Sequence, residues 1–130
     1  MVIDTSALIA LLGMEPEAAR LATAIEADSV RLLCSATLVE AGIVIEARYG
    51  PEGGRDLDLL VAKAGITIEP LNAEHAEAAR AAWRRYGRGR HPANLNFGDC
   101  FSYALAKASG EPLLFKGEDF RQTDIAVVTY

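Results

Sequence analysis

Residues 1–12 read MVIDTSALIALL. Three apolar residues, Met1, Val2 and Ile3, run into an aspartate, and Thr5 and Ser6 then open a second apolar run with helical spacing. A stretch this short and this apolar predicts a strand buried on both faces, as in parallel sheets. Asp4 then stands where the strand ends and the helix begins. An aspartate in that place is a natural helix cap, and so are Thr5 and Ser6. The alternative is that the strand carries a working carboxylate to the rim of a sheet.

The rest of the chain repeats this alternation. Strands are predicted at 2–3, 30–34, 66–68 and 112–115, with a further one at 125–128. Helices are predicted at 6–12, at 16–27 with Pro16 in the first turn, and at 36–49, stopped by Gly50-Pro51. Gly53-Gly54 opens another helix to 64. Asn72 caps an alanine-rich helix whose Ala76, Ala79, Trp83 and Tyr86 share one face, so Trp83 is read as a core residue. An irregular stretch, GRGRHPANLNFG, precedes a helix over 99–108. Strands separated by helices imply right-handed crossovers and a mostly parallel sheet covered on both faces. Sites in such sheets gather at the carboxyl ends of the strands, which is where Asp4 falls.

Composition limits the function classes. With 130 residues, 51% hydrophobic and 24% charged, the chain is expected to form one domain with a proper core. No apolar run is long enough to span a membrane and no basic region precedes the first apolar stretch, so a cytoplasmic protein is expected. Cys34 and Cys100 are the only cysteines. They are too few for a disulfide scaffold and lack metal-ligand spacing, and both are read as buried filler. A net charge of −5 argues against nonspecific binding to nucleic acid. One segment departs from that average: residues 80–91 read RAAWRRYGRGRH, with five of the thirteen basic residues and no acid.

Four acids are candidates for a shared site. Asp99 follows Gly98 at a helix start and has the same capping alternative as Asp4. Glu40 lies in SATLVEAGIVIEA, where its helical neighbours are Ala36, Thr37, Ile43 and Val44. A glutamate on that face packs against protein, and a buried carboxylate needs a proton or a cation. Asp119 follows the strand PLLF in KGEDFRQTD, with Asp124 and Glu118 close enough in sequence to serve instead. Two unit charges about 5 Å apart at an effective dielectric near 20 repel by about 3 kcal/mol. Several acids together therefore require a cation or shifted protonation. Hard oxygen donors suit Mg²⁺, with Mn²⁺ possible, ions that serve phosphoryl chemistry.

The four blocks MVIDTSALIALL, VEAGIVIEARYG, GRGRHPANLNFGDCFSYALAK and PLLFKGEDF, in that order, resemble the PIN-domain family, specifically the VapC ribonuclease toxins of bacterial toxin–antitoxin pairs. The resemblance spans the whole chain, 1–130, as a single PIN domain. It implies a three-layer α/β/α sandwich around a mostly parallel sheet of four to five strands. Carried over by position, the family's first metal-binding aspartate falls on Asp4, its helical glutamate on Glu40 and its central aspartate on Asp99. The family's last acid commonly follows a strand in a pattern like Thr-x-Asp. Here that slot reads Phe115-Lys116-Gly117, and Asp119, two residues on, is the substitute. Ser6 and Asn96 match residues that support the first and central aspartates.

By the same resemblance the reaction is metal-dependent hydrolysis of an RNA phosphodiester, leaving a 5′-phosphate and a 3′-hydroxyl. Asp4, Glu40 and Asp99 hold the ion and Asp119 helps recruit it. The basic stretch then gains a role, with Arg84, Arg85, Arg88 and Arg90 on RNA phosphates, Tyr86 or His91 stacking on a base, and Lys116 as a further contact. Their bland alternative is a solvated helix end whose arginines complement the helix dipole. A VapB-type antitoxin and a homodimer are also implied. Two other classes compete. A catalytically inactive PIN-like binding module would have lost its acids, and at least three remain. A phosphatase using Asp4 covalently wants a second aspartate where Ser6 stands.

Overall fold

A computed structural model describes every residue from Met1 to Tyr130. Four strands, β1 (Val2–Ile3), β2 (Leu32–Cys34), β3 (Thr67–Glu69) and β4 (Leu113–Leu114), lie in the order β3-β2-β1-β4. Every pairing is parallel: Val2 stands beside Leu32 on one side and Leu113 on the other, and Leu33 beside Ile68. β1 is thus central, as its apolar sequence requires. Five helices cover the sheet: α1 (Thr5–Leu12), α2 (Ala18–Ala27), α3 (Ser35–Lys63), α4 (Ala73–Tyr86) and α5 (Phe97–Ser109). No helix is long and apolar enough to cross a membrane.

The alternation of side chains along each strand builds the three layers. Val2, Cys34 and Leu113 point into a core shared with α4 and α5. Ile3, Leu33 and Leu114 point into a second core shared with α1, α2 and α3. All six are buried, so both faces of this small sheet are sealed. Cys34 and Cys100 are buried free thiols, and burial pushes Cys100 up to about 11, which removes it as a nucleophile at neutral pH.

Several boundaries differ from the sequence expectation. Asn96 caps α5, which therefore begins at Phe97 rather than at 99. The glycine-proline stop does break α3, but only at one residue. Gly50 alone leaves helical geometry, at φ 69°, and Pro51 restarts the helix at once, since a proline suits a first turn. The strand expected at 125–128 is reduced to one bridge, Val127 beside Leu113, with Leu113 N donating to Ala126 O and Val128 N to Leu113 O. The irregular 87–95 segment is not a free loop. Gly87 bridges to Leu95, Arg88 N donates to Leu95 O, and Ala93 and Leu95 are fully buried. Trp83 is no core residue: it is 40% exposed and Arg90 lies over its ring at 4.3 Å, because only Ala79, Ala82 and Tyr86 of α4 turn inward.

Candidate active site

Because all strands run the same way, the residues that follow them emerge at one edge of the sheet. Asp4 leaves β1 there as the cap of α1, and the residue is only 3% exposed. Three donors hold it. Ser6 N donates to Oδ2 at 2.9 Å, Ser6 Oγ to the same oxygen at 2.7 Å, and Ser102 Oγ to Oδ1 at 2.6 Å. Ser6 Oγ in turn accepts from Lys116 N at 2.9 Å, tying the end of β4 to the end of β1. Capping and site-building are therefore done by the same side chain. Each carboxylate oxygen has two lone-pair directions, so Oδ1, with one donor, keeps acceptor capacity for a further partner.

Asp99 sits one turn into α5. Its carboxylate accepts from Asn96 N at 2.8 Å while Asn96 Oδ1 accepts from Asp99 N at 2.9 Å, a reciprocal box that fixes both residues. Asn96 is thus a positioning residue for Asp99. Burial pushes the Asp99 carboxyl up to about 7, opposed by the Asn96 hydrogen bond and reinforced by the negative charges of Asp4, Asp119 and Glu40. These four acids, drawn from positions as far apart as 4 and 119, therefore feel one another in the fold.

Glu40 rises from the second turn of α3. Thr5 Oγ1 donates to its Oε2 at 2.5 Å, and its carboxylate lies against the backbone of Gly98. A β-carbon at 98 would stand 2.0 Å from Oε1, so only glycine leaves room for the carboxylate beside the first turn of α5. Asp119 opens a short 3-10 turn, Asp119–Gln122, and is exposed. Its two rivals are engaged elsewhere. Asp124 accepts from Tyr103 Oη at 2.7 Å and Lys107 Nζ at 2.9 Å, and Glu118 pairs with Arg121 at 3.2 Å.

The site's donors suit a hard divalent ion. They are carboxylates, and one of them is held near neutrality by burial and by its neighbours' charge, a penalty that a cation would relieve. No three acidic, histidine or cysteine side chains stand close enough to enclose one ion together.

The basic residues are less uniform than their sequence suggests. Arg84, Arg85, Arg88 and Arg90 are all exposed. Arg85 lies over the Tyr86 ring at 4.8 Å and reaches Asp124 at 3.5 Å, and Arg90 is placed over Trp83. Tyr86 is buried, edge-on to His91 and tilted against Tyr103, so it has no open face for a base. Lys116 is paired with Glu15 and, at 3.2 Å, with Glu17; those two partners raise it above the ordinary lysine value. Gly98 and Ser102 have roles that their local sequence does not announce, and Thr5, a cap candidate by sequence, instead holds Glu40. The nearest to a signal is that Ser102 lies three residues after Asp99, on the same helical face.

A model of the PIN domain matches residues 1–126 of the chain. Ribonuclease VapC30 of Mycobacterium tuberculosis is 59% identical over 128 residues, which cover 98% of each chain. Among solved structures, the M. tuberculosis toxin VapC20, described as cleaving the sarcin-ricin loop, has a TM-score of 0.81 at 17% identity, covering 99% of this chain and 98% of that one. A toxin–antitoxin complex from Klebsiella pneumoniae has a TM-score of 0.73 at 20% identity, with 99% and 97% covered. A relative this similar across nearly the full length of both chains, on top of the shared domain, decides the matter: the chain belongs to the PIN-domain family, among its VapC ribonucleases.

Proposed function

We propose that the chain, acting as one PIN domain over 1–130, is the endoribonuclease toxin of a VapBC-type pair and hydrolyses RNA phosphodiester bonds with Mg²⁺, or Mn²⁺ in its place. The observation that carries the reading is a pair of contacts that bring three acids to one place: Ser102 of α5, three residues after Asp99, donates to Asp4, and the Glu40 carboxylate lies against Gly98, next to Asp99. Acids that merely cap helices have no reason to be gathered in this way.

Asp4, Asp99 and Glu40 would hold the ion, directly or through water, and Asp119 would help recruit it. When bound, the ion supplies a nucleophilic water at neutral pH and offsets charge on the phosphate under attack. The chain's own residues set the geometry. Ser6 and Ser102 fix the Asp4 carboxylate, the Asn96 box fixes Asp99, and Thr5 with Gly98 fixes Glu40. Glu40 would accept a hydrogen bond from the attacking water and orient it in line with the leaving 3′-oxygen. Arg84 and Arg88, free of acidic partners, contact RNA phosphates; Arg85, Arg90 and Lys116 contribute where RNA competes successfully with their present contacts. A cytoplasmic setting, a homodimer and a VapB-type antitoxin complete the reading, the last supported by the fold shared with a toxin–antitoxin complex.

The test incubates purified protein with structured RNA in Mg²⁺, in Mn²⁺ or with chelator, and compares Asp99→Asn and Glu40→Gln. Cleavage that needs a divalent ion and is lost in both variants, with melting unchanged or raised, is the expected result. Variants that cut as well as the parent would move the reaction to another site.

A further inference from the structure

Phe97 is an aromatic ring that the chain by itself leaves in water, at the edge of an apolar face it shares with Val39 and Ile43 of α3. It is the first residue of α5, 80% exposed, and two positions from Asp99. Burying a phenylalanine stabilises a fold, and this one forgoes that gain. Its position is nevertheless fixed, since the Phe101 ring stands edge-on to it at 4.8 Å. On its α4 side opens a slot of about 430 Å³ with Trp83 on the facing wall and Ala76, Ala79 and Cys100 as lining. The charged groups at this slot are two arginines, Arg80 and Arg84. Arg80 is shared with Glu77 at 2.7 Å, whereas Arg84 enters none of the chain's ion pairs.

We infer that the slot between Phe97 and Trp83 is a nucleobase subsite, in which one unpaired RNA base next to the cleaved bond stacks on Phe97 while Arg84 takes the neighbouring phosphate. Three observations select this occupant. An apolar slot between two aromatic rings fits a π-face, and bases stack on aromatic residues in single-stranded recognition. The arginines at its rim complement a polyanion and would repel a basic segment. Phe97 also lines the neighbouring hollow that holds Glu40 and Gly98, so the slot adjoins the acids. The polar side chains that line the slot are donors, the two arginines and the Trp83 N–H, and stacking on Phe97 does not depend on which base edge meets them. The subsite thus selects an unpaired and well-stacking base, a purine over a pyrimidine, rather than a sequence. Duplex RNA, whose bases are already stacked, is excluded.

The inference rests on the ribonuclease reading, and the experiment separates the two. Trp83 is the chain's only tryptophan, so its emission reports the slot. Asp99→Asn protein, which binds without cutting, is titrated with single-stranded oligoadenylate and with an abasic ribose-phosphate oligomer of equal length. Oligoadenylate is expected to quench Trp83 and to bind about 10-fold or more tighter than the abasic chain. Adding Phe97→Ala should remove that advantage while leaving abasic binding unchanged; Phe97→Tyr, which keeps a stacking face, should restore it. Equal binding of the two oligomers, or an advantage that survives Phe97→Ala, overturns the subsite. So does a Phe97→Ala effect confined to self-association, which would assign the ring to a protein contact. Failure of the ribonuclease reading looks different: the parent protein cuts no RNA with any divalent ion, whatever the Trp83 signal does.

Discussion

The carboxylate of Glu40 occupies the space that a side chain at position 98 would need: a β-carbon there would lie 2.0 Å from Oε1 and 2.4 Å from the carboxyl carbon. Glu40 comes from α3 and Gly98 from α5, so the contact joins two helices at the point where the acids face one another. Replacing Gly98 by alanine must therefore displace Glu40 or separate the helices. Gly98→Ala is expected to cost about 1–3 kcal/mol in stability, as overpacking does, and to lower RNA cleavage at least about 10-fold. In a Glu40→Ala background the clash is gone and the same substitution should be close to neutral in melting. That non-additivity, read in a four-variant thermal melt, separates this contact from an ordinary helix effect of glycine.

Asp99 makes metal-free stability depend on pH in a direction opposite to that of most carboxylates. Its folded value, about 7, lies above the ordinary 3.8. Between those values the unfolded chain releases the proton and the folded chain keeps it, so stability falls as pH rises through this window and levels off above 7. Asparagine mimics the neutral acid. Metal-free Asp99→Asn protein should therefore match the parent near pH 4 and exceed it by about 1–3 kcal/mol at pH 8, allowing for solvent on the open side of the group. Mg²⁺ should raise the parent's melting temperature at pH 8 and leave the variant's nearly unchanged. A parent that melts higher than Asp99→Asn at pH 8 without metal would contradict the crowding of acids around residue 99.

These features mark how far the sequence could be read. The central strand, the parallel order and the placing of Asp4 at a strand's carboxyl end follow from apolar runs separated by helices, because burial on both faces leaves a plain signature. Asp4, Glu40 and Asp99 were legible as candidates, as carboxylates beside apolar neighbours. The supports were not. Thr5, Gly98 and Ser102 matter through contacts across 35 to 98 residues of chain, and small residues carry no sign of such contacts in their local pattern. The arginines of 80–91 looked equivalent for the same reason: whether a side chain is free or laid over Trp83 or Tyr86 depends on packing, which charge spacing does not encode. The exposure of Phe97 has no local signature either, because an aromatic residue beside a helix start is as compatible with a core as with a surface.

Ser102 is fully buried, and its hydroxyl serves Asp4 Oδ1 at 2.6 Å while lying 3.4 Å from Thr37 Oγ1. Ser102→Ala leaves a buried carboxylate oxygen without its only donor, at a cost of about 1–3 kcal/mol. The Asp4 carboxylate also loses one of the contacts that set its direction. Cleavage is expected to fall with melting temperature, but divalent-ion affinity should fall further than stability alone explains. Isothermal titration with Mn²⁺ on Ser102→Ala and Ser102→Thr protein checks this, the threonine keeping the hydroxyl.

Asp124 supplies the opposite pH behaviour at a place away from the acids. Its carboxylate accepts from Lys107 at 2.9 Å and Tyr103 at 2.7 Å, and these bonds hold it down at about 2. Tyr103 in turn packs on Tyr86, so the contact fastens the chain after the 3-10 turn to both α5 and α4. A depressed folded value gives stability that is complete above the unfolded value of 3.8 and lost as pH falls toward 2. With the group about one-third exposed, its contribution is about 1 kcal/mol. Asp124→Asn should melt about 3–4 °C below the parent at pH 6, a shift in proportion to that energy for a domain of this length. The gap should close by pH 2, while RNA cleavage at neutral pH and low temperature stays within about 2-fold of the parent. A variant that keeps its melting point and stops cutting would make Asp124, rather than Asp119, the fourth acid of the site.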